Sequence, residues 1–184
     1  MTVVFLVRHA HSEWSRGEAR SLSKQGVAGA KLLAGQFSGL PIAAIYSSPS
    51  RRAVETVSPL AVAIGHEIIM VEQLREREVP EVPLGEFEQM IDEAWRSPDI
   101  SPLGGESNVQ AQARGVDVLK KIVARHPDQH IVVSTHGNLL ALMVNGFNRS
   151  YGYDFWRCLS FPDVYRLEFD RDRLISITRA WDRE

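Results

Sequence analysis

The chain has 184 residues, 44% hydrophobic and 24% charged, with a formal net charge of −2. That length suits one domain, residues 1–184, with a buried core, and the charge balance argues against nucleic acid or an anionic membrane as partner. The single cysteine, Cys158, excludes an internal disulfide, and no apolar run approaches a membrane span, so a soluble, cytoplasmic protein is expected.

The first apolar run, residues 3–7, is short and rich in valine, as a buried parallel strand is. It ends abruptly on Arg8, His9 and His11. A helical pattern over 24–37 follows the cap-like Ser23. A second strand is expected over 42–46, then a helix over 51–64 in which Pro59 should cause a kink or a split. A third strand is expected over 67–71. Residues 77–106 carry Pro80, Pro83, Pro98, Pro102 and "LGG", and read as an irregular, lid-like excursion.

Beyond it, Val109, Ala113, Val116, Leu119 and Val123 recur three or four apart, which predicts a helix over 108–125 closed by Pro127. A fourth strand over 131–134 and a helix over 137–145 come next. Runs 164–169 and 174–178 flank the charged turn "DRDR" and read as two antiparallel strands. The alternation of strand and helix predicts an α/β fold: a three-layer αβα sandwich, mostly parallel in its central sheet, with an antiparallel edge.

In such folds ligands bind beyond the carboxyl ends of the strands. Strand one is followed by Arg8, His9 and His11. The second is followed by Ser47, Ser48, Arg51 and Arg52. After the third come Glu72, Arg75, Glu76, Arg77 and Glu78, and after the fourth Thr135, His136 and Asn138. Four strands thus deliver titratable groups to one edge. Arginine forks bind phosphate or carboxylate oxygens. A neutral imidazole can attack phosphorus, a protonated one can stabilise the equatorial oxygens, and a carboxylic acid can protonate the leaving alkoxide. That set suits metal-free phosphoryl transfer. The rival is a metal site on His9 and His11, opposed by the neighbouring arginines and the lack of further ligands.

These residues also resemble a known family. "LVRHAHSEW", "SSPSRRAVET", "PLGGES" and "IVVSTHGNLLALM" are similar, in family order, to the motifs of the histidine phosphatase superfamily, the phosphoglycerate-mutase-like family with its RHG signature. "LSKQG" fits the start of its first helix. The resemblance runs from residue 3 to about residue 143. It implies that His9 is the phosphorylated nucleophile, and that Arg8 and Arg52 hold the phosphate with His136 opposite. It also implies a backbone donor at Gly137 and a shortened side-chain donor at Ser15, where the family often has asparagine. Arg52 is preferred to Arg51 because Ala53 and Thr56 follow it in the family's spacing.

For the acid, "LREREVPEVPLGEFE" offers two registers. Glu76 fits leucine–x–glutamate through Leu74; Glu81 fits the step to Gly85 and Phe87. Glu76 is the tighter local match. Three further departures are Ala10 for the usual glycine, His11 for a common acidic residue, and Gly29 for a frequent glutamine.

The resemblance implies a phosphomonoester hydrolase that acts on a small phosphorylated metabolite through phosphohistidine. No cofactor and no metal are expected, and neither nucleic acid nor a membrane as partner. Two alternatives stand beside it: a cofactor-dependent phosphoglycerate-mutase-type phosphotransferase, and a non-catalytic phosphate-binding module. Phe87, Met90 and Trp95 either line the lid against substrate or pack on the body, and Arg75 and Arg77 either select acidic substrates or form a solvated face.

Overall fold

Side chains alternate across a strand, so a strand buried on both faces must be apolar at every position. Residues 3–7 meet that demand. In the computed structural model, which describes residues 1–13, 19–80, 84–101 and 105–181, they form β1 (Thr2–Arg8). Val3, Phe5 and Val7 face one layer of helices, and Val4 and Leu6 face the other.

The remaining strands are β2 (Ile42–Ser47), β3 (Ile68–Met70), β4 (His130–Thr135), β5 (Asp163–Asp170) and β6 (Arg173–Arg179). Their order in the sheet is β3-β2-β4-β1-β5-β6. The first four run parallel, and β5 and β6 turn back antiparallel to form the expected edge. β3 is shorter than the run at 67–71.

One face is covered by α1 (Lys24–Gln36) and α2 (Arg51–Ile64). Their Leu33, Val57 and Leu60 bury against Phe5, Ile45 and Val132. Ser23 caps α1, its hydroxyl accepting the Gly26 N–H at 3.1 Å. Pro59 does not split α2: the helix is continuous from Arg51 to Ile64. Burial of Val57, Leu60 and Ala61 holds it across the one missing hydrogen bond.

The other face is covered by α4 (Asn108–Arg125), α5 (Gly137–Phe147) and the short α6 (Tyr153–Cys158), which the sequence pattern did not reveal. The buried stripe of α4 runs through Ala111, Gly115, Val118, Leu119, Ile122 and Val123; of the expected members Val109 and Ala113 are exposed and Val116 is only partly buried.

The excursion at 77–106 is not irregular throughout. It contains α3 (Leu84–Arg96). Phe87, Ile91 and Ala94 fall at helical spacing, Ile91 is buried, and Trp95 packs against the core below α4 and α5. The prolines flank this helix rather than interrupt it. Asn108 Nδ2 donates to the Ala94 carbonyl at 2.9 Å and Val109 N–H to that of Pro98 at 2.9 Å, which ties α3 to α4.

Candidate active site

The sheet itself sets the site. The His9 N–H donates to the Thr135 carbonyl at 3.0 Å and the Ser48 N–H to that of Ser134 at 2.9 Å. The ladder therefore continues past the ends of β1, β2 and β4, and brings His9, Ser48 and His136 out at one level. Arg52 enters from the first turn of α2. That turn is pinned to the first loop by Thr56, whose hydroxyl donates to the Arg52 carbonyl at 2.7 Å and accepts the Ala10 N–H at 2.9 Å. Ala10 has no positive φ, so the glycine usual there is not needed.

His9 and His136 lie with ring centroids 5.2 Å apart, both buried. Nδ1 of His9 sits 2.8 Å from the Ala10 carbonyl, an acceptor, so the hydrogen-bond network places the proton on Nδ1 and leaves the Nε2 lone pair facing inward. Arg52 Nε donates toward that lone pair at 3.3 Å. The same guanidinium donates through Nη2 to His136 Nδ1 at 3.0 Å, while His136 Nε2 donates to the Ser48 hydroxyl at 2.8 Å. Burial first, and Arg52 second, hold both imidazoles well below the usual histidine range. Both are therefore neutral in these surroundings. The protonated His136 expected from the sequence needs an anion beside it to offset the cations.

Arg8 is a partly buried guanidinium with a defined orientation. Nη1 donates to the Leu159 carbonyl at 2.8 Å and the Phe161 ring lies under Cζ at 3.4 Å. The other face packs on Gly137, where an added Cβ would fall 2.8 Å from Nε and 2.9 Å from Cζ. Glycine at this helix start thus makes room for Arg8. Among the described residues Nε of Arg8 is buried without a partner. Burial lowers its pKa to about 10, against the opposing pull of Glu76 and Asp163, so it stays charged at neutral pH.

Glu76 reaches the N-terminus of α5. Its Oε1 accepts the N–H of Arg77 at 2.9 Å and of Leu139 at 2.9 Å, and its Oε2 accepts that of Asn138 at 3.0 Å. A carboxylate suits this helix end, where N–H groups lack intrahelical partners. The loop that carries Glu76 is gripped from behind. Arg114 of α4 donates to the Gln73 and Arg75 carbonyls at 2.6 and 3.0 Å, and is itself held by Glu106 through two contacts at 2.9 and 2.6 Å. The glutamate of "GGES" therefore acts as a strut for that loop.

Of the residues singled out from sequence, Arg8, His9, Arg52, Glu76, His136 and Gly137 converge. Ser15 and Glu81 lie outside the described residues. Arg51 points outward and pairs with Glu55 at 2.7 Å. His11 binds the Ser23 hydroxyl at 2.7 Å and so joins the cap of α1. No group of three or more His, Cys, Asp or Glu side chains is placed to hold a metal among the described residues.

Sequence reasoning missed several participants. Arg20 is half-buried, and its charge acts on both histidines and on Glu76. Nothing in its neighbourhood marks it. Ser48 was noted but given no role. Arg77 is not on a solvated face: it is 2% exposed, donates to the Glu106 carbonyl at 3.0 Å, and keeps Nε and Nη2 buried and unpartnered among the described residues.

Comparison with known proteins identifies the family. The sequence profile of the histidine phosphatase superfamily (branch 1) matches residues 4–181. Phosphoserine phosphatase 1 of Hydrogenobacter thermophilus is 31% identical over 153 residues, which are 74% of this chain and 71% of that one. The metal-independent phosphoserine phosphatase of Arabidopsis thaliana is 30% identical over 158 residues, 76% of this chain and 66% of that one. Among solved structures, YhfR of Bacillus stearothermophilus superposes with a TM-score of 0.81 at 26% identity, covering 95% of each chain. The profile covers all six strands, short only of the first two residues of β1, and every strand end that carries the site, so the chain belongs to branch 1 of the histidine phosphatase superfamily.

Proposed function

We propose that the chain hydrolyses a phosphomonoester through a covalent phosphohistidine at His9. The observation that carries this reading is the orientation of His9: Nδ1 is bound to the Ala10 carbonyl, and the Nε2 lone pair is aimed at the cluster of Arg8, Arg52 and His136.

The phosphate enters between these groups. The Arg52 donors now resting on imidazole lone pairs turn to phosphoryl oxygens, which frees Nε2 of His9. Arg8 presents Nε, and Gly137 presents the first N–H of α5. Ser15 contributes a further donor by its place in the motif. A phosphate dianion beside His136 favours the proton that burial and Arg52 now exclude, so His136 gains its imidazolium character only with substrate.

Nε2 of His9 then attacks phosphorus, the bond from phosphorus to the leaving oxygen breaks, and Glu76 gives that oxygen its proton. A carboxylate has about four lone-pair positions. Three are occupied by backbone N–H groups, which leaves the fourth, on Oε2, as the position from which a proton passes to the leaving oxygen. In the second step Glu76 takes a proton from water, the water oxygen bonds to phosphorus, and the bond from Nε2 to phosphorus breaks to release orthophosphate. Arginine and imidazole supply the positive charge, so no step calls for a metal.

Two of the relatives are phosphoserine phosphatases by name. This makes a phosphorylated amino or hydroxy acid the substrate class we infer, with phosphoserine the first to test. The purified protein should turn over p-nitrophenyl phosphate, keep that activity after exhaustive chelation, and lose it to vanadate, which mimics five-coordinate phosphorus. Loss on EDTA with recovery on zinc or manganese would instead support the His9 and His11 metal site. Phosphate binding without turnover would support the non-catalytic module.

A further inference from the structure

The phosphate-binding motifs end near residue 143, yet Arg8 is oriented largely by residues beyond them. Its Nη1 is anchored on the Leu159 carbonyl at 2.8 Å, with that of Ser160 at 3.5 Å. Its guanidinium lies 3.4 Å above the centre of the Phe161 ring. The same ring lies 5.5 Å from the His9 ring and 6.2 Å from that of His11, yet Phe161 remains 42% exposed. A large aromatic left this open in so polar a site calls for an account.

The segment that carries Phe161 is itself fastened. Asp163 is fully buried; its carboxylate accepts the Ser160 N–H at 2.8 Å and two Arg179 contacts at 2.9 and 3.0 Å. Arg179 also donates to the Ser160 hydroxyl at 3.1 Å, and that hydroxyl donates to the Pro162 carbonyl at 2.6 Å. On the far side Pro162 rests on α1 at Gly29, where an added Cβ would fall 2.9 Å from its Cδ. Glycine rather than the family's glutamine at this position gives the segment its seat.

We propose that Phe161 is a positioning residue for Arg8, and that the 159–163 segment, braced by Asp163 and Arg179, is the clamp that aims Arg8 at the phosphoryl group. A guanidinium held flat between an aromatic face and the Gly137 backbone, with Nη1 tied to a carbonyl, has lost its rotational freedom before substrate arrives. Nε, buried and unpartnered among the described residues, is then one of the donors left for a phosphoryl oxygen. Pre-orientation of this kind lowers the cost of binding and preserves in-line geometry. The aromatic face also stabilises the cation at a site where burial opposes it.

This inference rests on the phosphohistidine reading above, and its test separates the two. Phe161→Leu keeps apolar bulk and removes the ring; Phe161→Tyr keeps the ring. Phe161→Leu should lose roughly tenfold in kcat/KM, the factor that about 1.4 kcal/mol represents. The loss should be equal for p-nitrophenyl phosphate and an alkyl phosphate, and should match the loss in vanadate affinity, because Arg8 touches the phosphoryl group and not the leaving group. Phe161→Tyr should stay within about twofold of wild type. In an Arg8→Lys background, Phe161→Leu should cost nothing further.

A Phe161→Leu enzyme equal to wild type would overturn the proposal. So would a loss that follows the leaving group and spares vanadate, or one that multiplies with Arg8→Lys. So would an Arg8→Lys enzyme with kcat/KM intact, whereas a His9→Ala enzyme that still turns over marks a fault in the phosphohistidine reading instead.

Discussion

Replacing His9 with alanine should abolish turnover while the fold survives. The expected kcat with p-nitrophenyl phosphate is below about a thousandth of wild type, the scale on which loss of a covalent nucleophile is felt. No neighbouring group substitutes for it. His11 is engaged with Ser23 at the start of α1. His136 has one ring nitrogen on Arg52 and the other on Ser48. The fold should tolerate the change because His9 belongs to neither apolar cluster and Arg52 keeps His136 as a partner. Circular dichroism and the melting temperature test the second half of the expectation. A variant that retains a tenth of wild-type kcat would remove His9 from the role of nucleophile.

Glu76→Gln should show the next largest effect, and its signature is chemical as well as structural. For alkyl phosphates, whose leaving group needs a proton, the first step should slow by roughly 10²–10⁴-fold. For p-nitrophenyl phosphate the first step should suffer less, and the second step, which needs a base for water, should become limiting. There is also a cost in stability. Glu76 accepts three backbone N–H groups, and an amide nitrogen accepts none, so at least one donor at the N-terminus of α5 or at Arg77 is left unpaired. That costs about 1–3 kcal/mol. A lower melting temperature alone does not produce a loss that depends on the leaving group, so rates with aryl and alkyl substrates separate the two effects. Glu81→Gln is the control. The reverse pattern, with Glu81 essential and Glu76 silent, would move the acid five residues along the chain.

The parts of the fold that could be read beforehand are those where burial dictates composition. β1, β2 and β4 are buried on both faces, and their interiors at 3–7, 42–45 and 131–133 are therefore apolar. α1 shows its start through the cap-like Ser23, and α4 its extent through its apolar spacing and the proline that follows it. Two features misdirected the reading. Prolines at 80, 83, 98 and 102 suggested irregular chain, although they bracket α3 and do not enter it. Pro59 suggested a break that the buried face of α2 overrides.

At the site, the groups offered by strand ends and by the first turn of α2 were legible, because position after a strand fixes where a side chain emerges. Arg77, Glu106, Arg114 and Phe161 were not. Their roles depend on contacts across 29, 8, 39 or more residues of chain, which no local pattern records. Glu76 is the preferred of two candidate acids in the sequence, but its grip on the start of α5 emerges only when the short turn at Glu72–Leu74 is folded against that helix.

The central claim is that phosphorus is bonded to Nε2 of His9 during turnover, and the most direct test is to isolate that bond. Phosphohistidine is labile in acid, so the enzyme should be mixed with a phosphomonoester, quenched rapidly under alkaline denaturing conditions, digested and sequenced by mass spectrometry. Glu76→Gln enzyme is the preferred material, because its second step is slowed. The account predicts one phosphorylated peptide, the one containing His9, formed within a turnover, lost on brief exposure to acid, and absent from His9→Ala. A phosphate found on another residue, or steady turnover with no phosphoenzyme under conditions where the Glu76 variant has stalled, would contradict it.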